Sequence, residues 1–281
     1  MGKISTRIPF FIAGAAMSFS AEWLALREPI DHAARNDEII SALNVLFEGK
    51  KTIRLTDIGS GTGSTIRALT PTLKPTIAWH LVDNDPALLD VAKSEAARSD
   101  VITTHADLSQ SLEAIFSQTT DLITTSAFLD LVSEDWISGF VDALAQRRLP
   151  FYAALSYDGR AGALPSLAND EIILSAFNAH QKTDKGLGPA LGPDAADTAI
   201  RCFEEADYDV THGLSDWQAG PDHAAFQKML LDGWRGAASE IRPDLKNEFD
   251  DWFSKRLALI EEGETTGASV FVGHIDFLAL P

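Results

Sequence analysis

The period of the hydrophobic pattern changes several times along the chain, and each change marks an element. Residues 20–27 and 32–47 place apolar side chains at the three- and four-residue spacing of an amphipathic helix, and Pro29 between them predicts a break. From residue 52 short apolar runs alternate with helical stretches. The runs 52–58, 77–83, 101–104, 121–125 and 151–157 read as strands. The glycine cluster to about residue 69, then 86–98, 109–116 and 134–146, read as the helices between them, the second opened by Pro86 in its first turn. That alternation predicts an α/β chain with a doubly wound, mainly parallel sheet.

The second half departs from the alternation. Residues 158–193 are rich in Gly, Pro, Asn and Asp, with one helix expected at 167–179. A helix at 195–206, a strand at 208–211, helices at 222–240 and 243–261 and a final strand at 268–280 follow. Long loops inside a compact domain are usually lids or binding elements. The expected organisation is an N-terminal arm and helices over 1–50, then a core over 51–281 carrying lid-like insertions at 158–193 and 220–262. The chain has no internal repeat and no low-complexity tract.

Charge narrows the partners. Forty-one acidic residues against 23 basic ones among 281 leave a net charge of −18. Such a surface repels phosphate backbones and anionic lipid, which disfavours nucleic acid and membranes as partners; it serves equally as a solubility device. Cys202 is the only cysteine, so no internal disulfide and no thiolate metal cluster can form, no metal site is expected, and a reducing, cytoplasmic compartment is. Lys3 and Arg7 precede an apolar stretch over 8–19 that mimics the core of a secretion signal and falls short of the about 20 residues a membrane span needs. Met17 reads as an alternative start, with residues 1–16 as an extension.

The sharpest feature is Leu55-Thr-Asp-Ile-Gly-Ser-Gly-Thr-Gly63, between a strand and a helix. Glycines there allow tight turns and a close approach to a ligand. A phosphate-gripping loop needs a lysine after its last glycine, where Ser64 stands. A dinucleotide fingerprint needs glycine at that same position. What remains is an acidic residue, Asp57, two positions ahead of Gly59, Gly61 and Gly63.

This pattern resembles the first motif of the class I S-adenosylmethionine-dependent methyltransferases, and the likeness extends through Tyr157 and weakly to the end of the chain. The resemblance implies a Rossmann-like, seven-stranded sheet and S-adenosyl-L-methionine as cofactor. It implies that Asp57, Gly59, Ser60, Gly61 and Gly63 form the cofactor loop. Asp83, at the end of Trp79-His-Leu-Val-Asp83, would accept both ribose hydroxyls, with Asn84 beside it. Asp107 and Leu108 match the motif beside the adenine, although Asp107 equally reads as a cap for a helix starting near Ser109. Ser126, in Thr124-Thr-Ser126-Ala-Phe-Leu-Asp130, occupies the motif facing the methionine part. Relatives hold the methionine carboxylate with an upstream arginine, which points to Arg35 or Arg27; a surface pair of Arg35 with Asp31, one helical turn away, is the equal alternative.

The acceptor is less legible. Ser126-Ala127-Phe128-Leu129 stands where enzymes of adenine, cytosine or glutamine amides carry Asn/Asp-Pro-Pro-Tyr, which again disfavours nucleic acid. Methyl transfer from a sulfonium depends largely on placing the acceptor, with a base only where the acceptor loses a proton. The polar segment 176–193, after the fifth strand, is the acceptor-site candidate. It offers Asn178, His180, Gln181, Asp184 and Lys185, with Tyr157 and Asp158 at the strand end. Tyr157 and His180 are the catalytic candidates and the other five the substrate-binding ones; a solvated polar loop is the competing reading. His274 and Asp276 on the last strand read as structural. The expected activity is methyl transfer to a small polar metabolite. Binding of the cofactor without transfer, or transfer to a larger natural product or to a protein, are the alternatives.

Overall fold

The computed structural model describes residues 19–96 and 100–281. The readings placed on residues 1–16, and the last residues of the helix expected at 86–98, lie outside that range. The chain opens with helices α1 (Ala21–Ala34) and α2 (Asp37–Leu46). The alternation follows as β1 (Thr52–Ile58), α3 (Ser64–Leu69), β2 (Thr76–Asp83), α4 (Pro86–Ala96), β3 (Val101–His105), β4 (Leu122–Ser126), α5 (Glu134–Ala145) and β5 (Phe151–Leu164). Then come α6 (Asp170–Gln181), α7 (Ala195–Glu205), β6 (Asp209–Leu214), β7 (Trp217–Ala219), α8 (Ala224–Ile241), α9 (Lys246–Glu261) and β8 (Ser269–Leu280).

The strands form one sheet in the order β3-β2-β1-β4-β5-β8-β6, with β7 paired to β8. Strands β1 to β5 pair in parallel, and β6 runs antiparallel to β8. The order reverses between β1 and β4, so the crevice at the carboxyl ends of those two strands is where an open α/β sheet takes a ligand.

The chain divides into two compact units. The larger comprises Glu28–Arg160, Gln181–Trp217 and Val272–Pro281 and holds the body of the sheet. Its core is aromatic. Phe151 stacks on Phe203 with centroids 5.1 Å apart and meets Phe140 and Phe277 edge-on, and all four side chains are fully buried. Among the described residues the smaller comprises 19–27, Ala161–His180 and Gln218–Phe271. There α8 and α9 pack together over Trp234, Phe249 and Trp252, and Trp23 stacks on Phe226 at 5.4 Å. The buried Arg256 guanidinium donates to the Asp170 carboxylate and to the carbonyls of Pro165 and Ala163. Among the described residues no helix is long and apolar enough to cross a membrane.

Several boundaries differ from the sequence-based expectation. Pro29 does not break the first helix; α1 runs through it. An interior proline costs about 3 kcal/mol, and burial of Trp23 and Ile30 on the same helix offsets it at roughly 2 kcal/mol each. The break falls at Asn36, whose Oδ1 accepts the amides of Glu38 and Ile39 and caps α2. The helix expected at 109–116 is a turn followed by a short 3-10 segment, Glu113–Phe116. Asp107 and Ser111 accept the amides two residues on, a local alternative to helical bonding. Strand β5 continues seven residues past Tyr157 into the stretch expected as loop, and the helix expected at 167–179 is α6, beginning three residues later and ending two later. The sheet has eight strands rather than seven because Trp217–Ala219, too short to show a period, forms β7.

Candidate functional site

The carboxyl edges of β1, β2 and β4 meet in the larger unit. Gly59 and Gly63 adopt left-handed backbone, with φ of +61° and +81°. At Gly59 the requirement is also steric, because a Cβ there would lie 2.6 Å from Phe128. Asp83 ends β2 and ties the loop down: its Oδ2 accepts the Gly61 amide at 2.8 Å and its Oδ1 the Asp85 amide at 2.9 Å. Burial raises the pKa of this carboxyl, and the backbone amides oppose the rise.

Asp57 lies deeper. The parallel register of β1 and β4 sets Thr124 opposite it, and the Thr124 hydroxyl donates to its Oδ1 at 2.8 Å. Oδ2 has no hydrogen-bond partner among the described residues. Burial pushes the Asp57 carboxyl up to about 7, helped by the Asp83 charge, against the pull of the Thr124 and Thr65 hydroxyls and the Arg35 charge.

Arg35, at the end of the first helical segment, brings a buried positive charge to this cluster. The residue is 9% exposed. Nη1 donates to the Tyr152 hydroxyl at 3.1 Å, Nη2 approaches the Ser126 hydroxyl at 3.4 Å, and Nε carries no hydrogen bond among the described residues. The Tyr152 hydroxyl in turn donates to Asp276 Oδ2 at 3.0 Å. Burial works against the Arg35 charge, but Tyr152, Asp276 and Asp31 outweigh it and raise its pKa. Burial and the Asp276 charge push the Tyr152 hydroxyl well above its ordinary value, so it stays a phenol.

The edge thus brings together Arg35, Asp57, Gly59, Ser60, Gly61, Gly63, Asp83 and Ser126. Ser60 is buried, its amide bonded to the Val82 carbonyl and its hydroxyl without a partner among the described residues. Asn84 is exposed, and its carbonyl accepts from His105 Nε2. Asp107 is exposed at the end of β3 and accepts the Ser109 amide, the capping geometry with no α-helix behind it. Leu108 is buried, and its carbonyl accepts the Trp136 indole.

The acceptor-site candidates fall in both units. Tyr157 is buried in the larger unit, edge-on to His274 at 6.1 Å. The neighbouring Asp158 is held by the Arg160 guanidinium, which also grips Asp216. Gln181 abuts Gly192; Asp184 closes a turn by accepting the Gly186 amide; the buried Lys185 ammonium donates to Thr183 at 2.7 Å. His180 and Asn178 belong to the smaller unit. His180 is buried, with Nε2 3.1 Å from Glu240 Oε2. Asn178 lines a groove of about 650 Å³ with Gly162, Leu164, Leu174, Ser175 and Phe271. Leu164 and Phe271 expose about half of their surface there (57% and 41%).

Sequence reasoning missed Tyr152 and set Asp276 aside as structural. The signal for Asp276 was a carboxylate on the otherwise apolar β8, fully buried in the structure. Tyr152 sits inside an apolar run and gave none.

No protein-family model matches the sequence, and no curated protein matches it. Solved structures do match in fold. The cyclopropane synthase MmaA2 of Mycobacterium tuberculosis is 14% identical with a TM-score of 0.51, covering 93% of this chain and 94% of its own. A cyclopropane-fatty-acyl-phospholipid synthase-like protein of Lactobacillus casei is 13% identical with a TM-score of 0.52 over 91% and 93%. The YcgJ protein of Bacillus subtilis is 14% identical with a TM-score of 0.51 over 87% and 98%. The chain shares a Rossmann-like α/β fold with these structures.

Proposed function

We propose that the protein is an S-adenosylmethionine-dependent methyltransferase acting on a small polar metabolite. The observation that carries the reading is the buried strand edge in which an acidic pair, Asp57 and Asp83, and one arginine, Arg35, surround a glycine loop. Three buried polar atoms there lack partners among the described residues: Asp57 Oδ2, Ser60 Oγ and Arg35 Nε. One acceptor, one hydroxyl and one cationic donor suit the ammonium and carboxylate of an amino-acid moiety. Asp83, at the end of β2, would hold the ribose, and Asp107 and Leu108 the adenine. When bound, the cofactor supplies an electrophilic methyl group on a sulfonium centre. The chain's own part is to bind, orient and exclude water; Tyr157, Asp158 and the residues of 178–185 remain the candidates on the acceptor side.

The names of the structural relatives also support cofactor-dependent one-carbon chemistry, since two of the three are named for cyclopropane synthesis. A second reading, methyl transfer to a larger apolar acceptor, is favoured by the groove between Leu164, Leu174 and Phe271 in the smaller unit.

The test is calorimetric titration with S-adenosylmethionine and, separately, with a nicotinamide dinucleotide, followed by incubation of methyl-labelled cofactor with a cell extract. Binding of the former alone, lost in Asp83→Ala, and label in small polar compounds are expected. Label in apolar compounds would select the second reading. Binding of the dinucleotide instead would overturn both.

A further inference from the structure

We infer that Tyr152 and Asp276 are positioning residues, which fix the Arg35 guanidinium in the orientation that receives the ligand's carboxylate. The inference rests on the cofactor reading above and adds two residues to it. Its starting point is the direction of the hydrogen bonds. Asp276 is fully buried, and its carboxylate accepts three donors: the Tyr152 hydroxyl at 3.0 Å and the Asn36 amide at 3.2 Å on Oδ2, and the Leu155 amide at 2.8 Å on Oδ1. With its hydrogen committed to Asp276, the Tyr152 hydroxyl presents a lone pair, and Arg35 Nη1 donates to it. A chain therefore runs one way, from guanidinium to phenol to carboxylate.

Each contact of Asp276 bears on where Arg35 sits. Asn36 follows Arg35 directly and caps α2, so the bond to its amide anchors the backbone beside the arginine. Leu155 is a buried residue in the left-handed region, φ +54°, within β5. A non-glycine residue held there is strained by about 1–3 kcal/mol. The Asp276 oxygen takes the amide that this bend turns inward, and Tyr152 lies three residues before it on the same strand. The bend, the phenol and the helix junction thus meet at one carboxylate.

The guanidinium so held is not saturated. Of its five N–H groups, one has a good partner in Tyr152, Nη2 reaches Ser126 only at 3.4 Å, and Nε is unpartnered among the described residues. A buried arginine in this state is prepared for an anion that accepts two donors. Arg256, whose Nε is likewise unpartnered among the described residues, differs at its Nη groups, which donate to the Pro165 and Ala163 carbonyls and to the Asp170 carboxylate, whereas Arg35 has one hydroxyl at 3.1 Å and another only at 3.4 Å.

Calorimetry with two probes separates positioning from fold maintenance: S-adenosylmethionine, and its decarboxylated form, which lacks only the carboxylate. Tyr152→Phe removes the phenol oxygen and keeps the ring. Its affinity for S-adenosylmethionine is expected to fall roughly tenfold, with that for the decarboxylated probe unchanged within about twofold. Against an Arg35→Ala background the same substitution is expected to add nothing, because Tyr152 acts through the arginine. Asp276→Asn, which keeps an acceptor oxygen, is expected to show the same ligand-selective loss at smaller size, and it carries the test if Tyr152→Phe does not fold. Equal losses for both probes, or additivity with Arg35→Ala, would overturn the inference and leave the cofactor reading standing. A wild-type protein that binds neither probe would overturn both.

Discussion

Asp57→Asn tests the electrostatics of the strand edge at nearly constant volume. In the folded chain burial holds the Asp57 carboxyl at about 7, against an ordinary value of 3.8. The folded state therefore keeps this proton over a range in which the unfolded chain has lost it. A raised carboxyl of this kind favours folding fully below the ordinary value; the contribution shrinks as pH rises and is gone above about 7. With ~1.4 kcal/mol per pH unit between the two values, the wild type is expected to be about 3 kcal/mol less stable at pH 8 than at pH 5 from this group alone. Asp83, raised by burial as well, adds a dependence of the same sign. Asparagine does not titrate, so the variant should lose the Asp57 part and keep the Asp83 part. Urea unfolding of both proteins at pH 5, 6, 7 and 8 measures it: the stability difference between them should change by about 3 kcal/mol across that range, in favour of the variant at high pH. Parallel profiles would show that Asp57 is ionised at the ordinary value and that its burial is compensated.

The same group makes cofactor affinity pH-dependent in the proposed function. Where the ionised Asp57 receives an ammonium, binding of S-adenosylmethionine should strengthen several-fold from pH 6 to pH 8 and level off, and Asp57→Asn should flatten that profile; calorimetry in matched buffers checks it. Gly59→Ala meets both a left-handed φ and the Phe128 ring, so it should cost about 1–3 kcal/mol in thermal or urea unfolding, with Phe128→Ala relieving only the steric part. Phe151→Ala opens the aromatic core between Phe140, Phe203 and Phe277 and should cost about 3–5 kcal/mol. Asp83→Ala removes the acceptor for the Gly61 and Asp85 amides; it should lower stability by about 1–3 kcal/mol and abolish measurable cofactor binding, read by urea unfolding and calorimetry together.

The strand edge was legible in sequence wherever its residues sit next to a strand end. Asp57, Asp83 and Ser126 close three apolar runs, and the parallel register then sets them side by side, with Asp57 opposite Thr124 and Ile58 opposite Thr125. A period of two or of mixed apolar runs is a local property, so such positions can be found without knowing the fold. The acceptor side was not legible for the converse reason. Glycine and polar residues after residue 157 suggested a loop, yet β5 continues to Leu164, with Ala163 buried; the helix expected at 167–179 is present as α6. Tertiary burial overrode local turn preference, and it placed His180 in a different unit from Tyr157.

The hardest residues to read were those whose meaning is purely non-local. Arg35, Tyr152 and Asp276 are separated by 117 and 124 residues along the chain, and their bonds form only when β8 is inserted beside β5 in the sheet. Each alone has an innocuous reading: a helix arginine that could pair with Asp31, an aromatic strand residue, a carboxylate near a chain end. Burial changes that. A fully buried carboxylate is costly unless its oxygens accept hydrogen bonds, and both oxygens of Asp276 do, from three donors on two separate segments. A buried arginine is costly in the same way, and Arg35 leaves donors unused. The asymmetry between a carboxylate bonded on both oxygens and a guanidinium with open donors, at the two ends of one hydrogen-bond chain, is what separates support from site on the cofactor reading: there Asp276 is satisfied by the fold, and Arg35 by the carboxylate it is proposed to receive.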